Sequence, residues 1–516
     1  MENESPLRVP GPRGPALLFS LAAGVLNIAA FPRIDLGWLA FAGLLPIFLL
    51  LERRTNGQLF RDFWLAAFVF RLGNLYWIIF VIGHYTQLHI ALSIGVVVLL
   101  CIFMALFWGL TGWLLGRITR AAGLSIALLA APFLWVAQEY AVNILQFPWD
   151  LLGYSQYAHL RIAQIATFTG VYGLSWVLAA FNAGLALWIL RRKLYYICSI
   201  TIVLCVAAAY GQWRISQPVG AESARVGVVQ GNVPQDEKID YRFADDVNRR
   251  HIHMTEELVA RDHPDIVFWS ESSTLYPIQA GGVWTTQVVE MVRRLGVPLY
   301  VGSDLYKGDR VFNSSFLIYG NGAFHPQEYS KIYLVPFGEY VPLSRLFFFA
   351  GKVVPEISDF TAGYKYTLFP LKGKKFAVNI CFEVVFPQLA RTLCGDGSAL
   401  LTTITNDAWF GKSCAPHQHF AMAVMRAIEN RRYLVRAANT GISGVVDPYG
   451  RILVKTGLFV PAEFTEEVRF VDESTFYTRH GDVLVHVSLF VFIVMFLTPW
   501  GKVQRRLRGT GSETVV

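Results

Sequence analysis

Apolar residues fall along this chain in long unbroken runs. Runs near 15–31, 36–51, 63–82, 90–115, 122–141, 161–190 and 194–212 follow one another with short polar breaks, and a last run lies at 483–500. Most approach the roughly 20 residues that an α-helix needs to cross a bilayer. The pattern predicts a multi-span membrane domain of about eight transmembrane helices. The first run stands where a signal peptide would, but the similar runs behind it predict a retained helix.

Across 216–480 the pattern changes. Short β-rich runs bounded by Gly, Pro, Asn or Asp recur at 224–230, 266–269, 298–302, 314–319, 375–380 and 399–405, with helical stretches at 244–261, 285–295 and 417–435. Strands alternating with helices predict an α/β layered domain with its own core. The chain thus divides into 1–215, transmembrane helices; 216–480, a soluble domain; and 481–516, a last transmembrane helix with a basic tail.

Composition agrees with two unlike parts: 54% hydrophobic is too apolar for an ordinary soluble protein, and 16% charged is too polar for a wholly embedded one. The basic residues then orient the chain. Arg8 and Arg13, then Arg53, Arg54 and Arg61, then Arg117 and Arg120, then Arg191, Arg192 and Lys193, and finally Lys502, Arg505, Arg506 and Arg508 fall in alternate connections. The opposite set holds only Arg33 and Arg161. Lys and Arg near span ends stay cytoplasmic, so both termini are expected in the cytoplasm and the 216–480 domain outside. The net charge of +8 sits largely in these loops and signals topology, with no nucleic-acid partner implied.

Six cysteines are too few for a disulfide framework, and Cys101, Cys198 and Cys205 lie in or beside apolar runs as small hydrophobes. Cys394 and Cys414 fall in the outer domain, where an oxidising compartment leaves open either a disulfide between them or two free thiols. Arg71 and Glu139, expensive in hydrocarbon, are expected to pair with one another or to line a headgroup cavity.

In layered α/β folds reactive groups gather where strands end. Glu271 follows the run 266–269, and Cys381 follows 375–380. Lys331 precedes the stretch that ends in Gly338-Glu339. Each has a plain alternative: a turn acid, a structural thiol, a surface charge. Together a carboxylate, an amine and a thiol supply what acyl transfer through a thioester requires, a base for the thiol and a cation for the oxyanion. No His/Cys/Asp group has metal-ligand spacing and no Gly-rich phosphate loop appears, so neither metal nor cofactor is expected; His417 and His419 read as structural.

These residues resemble one family, the apolipoprotein N-acyltransferases of bacterial lipoprotein maturation. The matching stretches are Val229-Gln230-Gly231-Asn232-Val233-Pro234-Gln235, Trp269-Ser270-Glu271-Ser272, Leu334 to Pro342 behind Lys331, Asn379-Ile380-Cys381-Phe382-Glu383, Asn406-Asp407-Ala408-Trp409-Phe410-Gly411, and Arg436 to Ser443. In the membrane part Leu75-Tyr76-Trp77-Ile78, Phe147-Pro148-Trp149 and Leu152-Gly153-Tyr154-Ser155-Gln156 match as well. The resemblance implies a nitrilase-like α-β-β-α sandwich on the outer side of the bacterial inner membrane, with Glu271 as general base, Lys331 steadying the intermediate and Cys381 as nucleophile. Glu339, Glu383 and Phe382 would support the site, and Tyr76, Trp77, Trp149 and Tyr154 would shape the lipid entrance. The implied donor is a phospholipid, phosphatidylethanolamine above all, and the acceptor the α-amine of a diacylglyceryl-modified apolipoprotein. A monomer is expected. Phe347, Phe348 and Phe349, an apolar run in a polar segment, read either as a membrane arm or as core. The chain departs from the family at Ser270, usually Pro; at Phe382, usually Tyr; and at Ile239, often Trp. A membrane-tethered amidase with the same three residues and a non-catalytic lipoprotein-binding module are the competing readings.

Overall fold

The computed structural model describes residues 14–85, 88–145, 147–238, 240–340 and 360–499. Ile239 and the proposed arm Phe347–Phe349 lie outside the described residues, as do the basic residues of both termini.

The apolar runs form the helices Gly14–Ala30, Asn56–Leu75, Trp77–Tyr85, Ile90–Ala122, Leu124–Ile144, Val171–Arg191, Tyr195–Ile215 and Val483–Leu497. Four of them, Ile90–Ala122, Leu124–Ile144, Val171–Arg191 and Tyr195–Ile215, are long and apolar enough to cross a membrane. Asn56–Leu75 with Trp77–Gly83, bent by 54°, makes a fifth if the pair is one span. Of the about eight spans expected, the other three, Pro15–Ala30, Gly37–Phe48 and Val483–Leu497, are shorter apolar helices.

The run at 36–51 shows why. It breaks into the short turns Gly37–Leu39, Ala40–Gly43 and Leu45–Phe48, the last with a proline in its first turn that cannot continue a preceding helix. Asn182 from a neighbouring helix repairs the break: its Oδ1 accepts from the backbone N–H of Leu44 (2.9 Å) and Leu45 (2.8 Å), and its Nδ2 donates to the Ala40 carbonyl (2.9 Å). Buried backbone groups in hydrocarbon must find such partners. The expected Arg71–Glu139 pair does not form either. Arg71 pairs with Asp150 at 3.0 Å, while Glu139 accepts from Trp135 Nε1 (3.0 Å) and the Leu152 N–H (2.9 Å).

The outer domain holds two six-stranded sheets among the described residues. The first contains β1 (Ser223–Gln230), β2 (Ile266–Phe268), β3 (Leu299–Lys307), β4 (Arg310–Ile318), β5 (Tyr329–Ser330) and β12 (Ala462–Arg469), ordered β12-β1-β2-β3-β4-β5. The second contains β6 (Leu368–Leu371), β7 (Lys374–Ile380), β8 (Leu400–Thr405), β9 (Leu434–Ala438), β10 (Gly444–Val446) and β11 (Ile452–Lys455), ordered β11-β10-β9-β8-β7-β6. β1, β2 and β3 run parallel, as do β7, β8 and β9. Parallel strands need cover on both faces. Val226, Val228, Phe268 and Tyr300 meet Phe376, Val378 and Ile380 between the sheets.

Helices Ala244–Asp262 and Val283–Leu295 cover the first sheet. Pro387–Gly395 and Ala415–Asn430 cover the second, and their outer faces join one continuous apolar core with the membrane helices. This is the expected α-β-β-α sandwich. The helix expected over 417–435 ends early: Arg431 is left-handed (φ 51°) and closes it. Arg432, held by the Ser398 carbonyl (2.7 Å), turns the chain into β9.

Candidate active site

Three strand ends converge on one buried cluster. Glu271 follows β2, Lys331 follows β5 and Cys381 follows β7, all nearly inaccessible at 5%, 1% and 7% exposure. Lys331 Nζ lies 2.8 Å from Glu339 Oε1 and 3.4 Å from Glu271 Oε1. Asn313 Nδ2 donates to both carboxylates, at 2.7 Å to Glu271 and 3.1 Å to Glu339. The second Glu271 oxygen accepts from the Asn406 N–H (2.7 Å), and the second Glu339 oxygen from the Val335 N–H (2.8 Å).

These neighbours set the charges. Burial favours a neutral Glu271, but Lys331, Asn313, Lys238 and the Cys381 thiol together hold its carboxyl below the ordinary range. Burial disfavours the Lys331 ammonium, yet Glu339 and Glu271 outweigh it and keep the lysine protonated. Burial pushes the Cys381 thiol well up, Glu271 adds to that, and Lys331 opposes it. The resting site is therefore a carboxylate beside a neutral thiol.

Cys381 adopts a left-handed backbone (φ 52°) at the first residue of a short 3₁₀ turn, 381–385. Such a conformation is costly for a residue with a Cβ. Glu383, two residues on, is wholly buried and does not touch the Lys331 amine. Its Oε2 accepts from the Ile380 N–H (2.7 Å) and its Oε1 from the Ile332 (2.6 Å) and Tyr333 (3.2 Å) N–H groups, while the Tyr329 hydroxyl lies 2.9 Å from both oxygens. It thus ties the strand end before Cys381 to the loop after Lys331. Burial raises its carboxyl to about 7 despite those donors.

The aromatic residues named from sequence lie at the joint with the membrane part. Trp149 stacks on His419 (5.6 Å) and Phe382 (6.4 Å), meets Trp77 (4.9 Å), and donates to Gln418 Oε1 (2.7 Å). Tyr76 is half-exposed at the bend between its two helices. Tyr154 lines no open entrance: it is buried, its hydroxyl donates to the Val385 carbonyl (3.1 Å), and Arg426 lies over its ring.

Sequence reasoning gave several neighbours no role at the site. Lys238 donates to the Glu271 carbonyl (2.8 Å) and is lowered to about 8 by burial. Asp407, His419 and Arg436 form a wholly buried cluster against Cys381. Asn406, Asp407 and Arg436 do sit in the matched stretches, but a motif shows no contact between separate stretches of chain. Ser270, at the family's proline position, is buried with its hydroxyl unpartnered among the described residues. Cys394 and Cys414 are both free buried thiols; Cys414 faces the Asn74 carbonyl at 3.7 Å across the domain joint. Among the described residues no group of three or more His, Cys, Asp or Glu could hold a metal ion.

Residues 23–184 match the family described as apolipoprotein N-acyltransferase N-terminal domain, and residues 225–469 the carbon-nitrogen hydrolases. The chain is 36% identical to an apolipoprotein N-acyltransferase of Geobacter metallireducens, covering 90% of this chain and 92% of that one. It is 32% identical to another from Methylococcus capsulatus, covering 90% and 93%. Among solved structures it is similar to a nitrilase-superfamily protein of Saccharomyces cerevisiae, with a TM-score of 0.38 and 18% identity over 49% of this chain and 92% of that one.

Proposed function

The chain belongs to the apolipoprotein N-acyltransferase family and N-acylates lipoproteins, and from that premise we propose how its residues carry the reaction. The observation that supports the reading is the meeting of Glu271, Lys331 and Cys381 at three strand ends with their charges already sorted.

In the first half-reaction Glu271 takes the Cys381 proton as sulfur attacks an ester carbonyl of a membrane phospholipid, expected to be phosphatidylethanolamine. The C–S bond forms, and Lys331 stabilises the oxyanion of the tetrahedral intermediate. The C–O bond then breaks, and the proton on Glu271 passes to the leaving alkoxide to give a lysophospholipid. In the second half-reaction the α-amine of the diacylglyceryl-cysteine attacks the thioester. Its proton goes to Glu271, the C–N bond forms, the C–S bond breaks, and the thiolate is reprotonated. Alternate use of one carboxylate as base and acid suits a ping-pong cycle. Glu339 holds Lys331 in place, and Glu383 fixes the two backbone segments that carry Lys331 and Cys381.

The same reading places both substrates in a bilayer. Each acyl chain costs roughly 0.8 kcal/mol per CH₂ to withdraw from lipid, so a catalytic domain fused to membrane helices suits lipid substrates. The four or five long helices and the three shorter apolar ones are read as about eight spans in the bacterial inner membrane, with both termini cytoplasmic and 216–480 outside. Tyr76 is read as the exposed aromatic that acyl chains pass, with Trp77, Trp149 and Phe382 packed behind it, and the working unit as a monomer. The test is a transfer assay with a diacylglyceryl-cysteine peptide and phosphatidylethanolamine. Triacylated peptide and lysophospholipid in equal amounts are expected; release of ammonia from simple amides without phospholipid would instead favour an amidase.

A further inference from the structure

The buried cluster beneath the nucleophile has no part in the chemistry just described, yet it touches the one backbone group that defines Cys381. His419 Nε2 lies 3.1 Å from the Cys381 carbonyl oxygen. Its Nδ1 lies 2.9 Å from both Asp407 Oδ1 and Arg436 Nη2, and Arg436 Nη2 is 2.8 Å from Asp407 Oδ2. The Thr405 hydroxyl also donates to Asp407 Oδ1, at 3.0 Å. All three ionisable side chains have no exposure.

The contact to Cys381 fixes one proton of the ring. A carbonyl oxygen only accepts, so the proton facing it must be on Nε2. Nδ1 faces the Arg436 donor and the Asp407 carboxylate alike, and Arg436 also pairs with Asp407. Burial and then Arg436 disfavour a charged imidazole. The far face of the ring packs on Trp149, which also stacks on Phe382, the residue after the nucleophile. The imidazole is thus held on its edge by Arg436 and Asp407 and on its face by a membrane-part indole, with its Nε2–H aimed at the carbonyl of a left-handed cysteine.

We propose that His419 is a positioning residue for Cys381: by donating from Nε2 to the Cys381 carbonyl it holds the left-handed backbone that sets the thiol beside Glu271. This rests on the reading of Cys381 as the nucleophile. Without that donor the strained φ has less to hold it, and the carbonyl, buried below an apolar wall, loses a partner.

Two amides separate this role from simple packing. Glutamine places an N–H near the position of Nε2 and keeps the donor to Cys381; asparagine reaches only the Nδ1 position and keeps the contacts to Arg436 and Asp407. The experiment is the rate of Cys381 carboxamidomethylation by iodoacetamide in the full-length detergent-solubilised chain, read by peptide mapping. His419→Gln is expected to react within about threefold of wild type and His419→Asn at least about tenfold more slowly, the scale of a small misplacement of a reacting group. Equal rates in the two variants, at any level, or a faster asparagine variant, would overturn the proposal. If neither variant folds, ¹⁵N-histidine spectra of the wild-type chain carry the test: one histidine protonated on Nε2 should shift when Cys381 is alkylated, and no responding histidine would overturn it. Failure of the nucleophile reading looks different, since wild type would then form no acyl adduct whatever the variants do.

Discussion

Lys331 and Glu271 meet at 3.4 Å in a site where both are buried, and the same ammonium serves Glu339 at 2.8 Å. Two carboxylates therefore depend on one cation, and Lys331→Met leaves them facing each other without it. Breaking a buried pair from one side costs about 3–5 kcal/mol, and losing an oxyanion donor costs on the order of 10²–10³ in rate. Thermal unfolding in detergent and the acyl-transfer rate should both fall by those measures.

The charge states fix the direction of the pH dependence. Glu271 is held below the ordinary carboxylate range, by Lys331 first among the opposing groups, against burial. A depressed acid contributes stability that is present above its unfolded pKa and lost as pH falls through the folded value. Activity should follow the same limb, because the base must be ionised. The profile of kcat/KM for the phospholipid donor, which precedes the amine's entry, should be flat from about pH 6 to about pH 8 and fall only on the acid side, below the usual Glu value of about 4.3. A rise through neutrality, as for a histidine base, would contradict the assignment.

Gly302 on β3 shows how closely the first sheet is built around the base. A Cβ there would lie 2.6 Å from the Ser270 carbonyl oxygen, 2.8 Å from Glu271 Cα and 2.8 Å from the Ser272 nitrogen. All three are backbone atoms, so the strand end carrying Glu271 must move. Gly302→Ala should cost about 1–3 kcal/mol as overpacking and about 10²-fold in transfer rate through displacement of the base, with Cys381 still open to alkylation.

Arg71 and Asp150 form an ion pair at 3.0 Å with both side chains 3% exposed. Arg71→Leu or Asp150→Leu alone strands a buried charge at a cost of about 3–5 kcal/mol. The double variant should be more stable than either single one, and a thermal double-mutant cycle measures the coupling.

Much of this was legible in the sequence because the signals are local. Apolar runs at 90–115, 122–141 and 194–212 read as helices and are helices, since length and composition alone decide them. The strands before Glu271 and Cys381 were placed by their β-rich pattern and turn residues. Elsewhere distant partners decided the outcome. The break at 36–51 is stable because Asn182 caps it, and Arg71 chose Asp150 over Glu139 because of how the helices pack. His419 read as an ordinary structural histidine. Its contact with the Cys381 carbonyl exists only once the helix Ala415–Asn430 is laid against the turn Cys381–Val385.

The chemistry turns on a thioester at Cys381. The direct measurement is mass spectrometry of the membrane-extracted chain after incubation with phosphatidylethanolamine, comparing wild type with Cys381→Ala. A fatty-acyl adduct that maps to Cys381 and is absent from the variant is expected. No adduct in wild type, under conditions that support turnover, would contradict it.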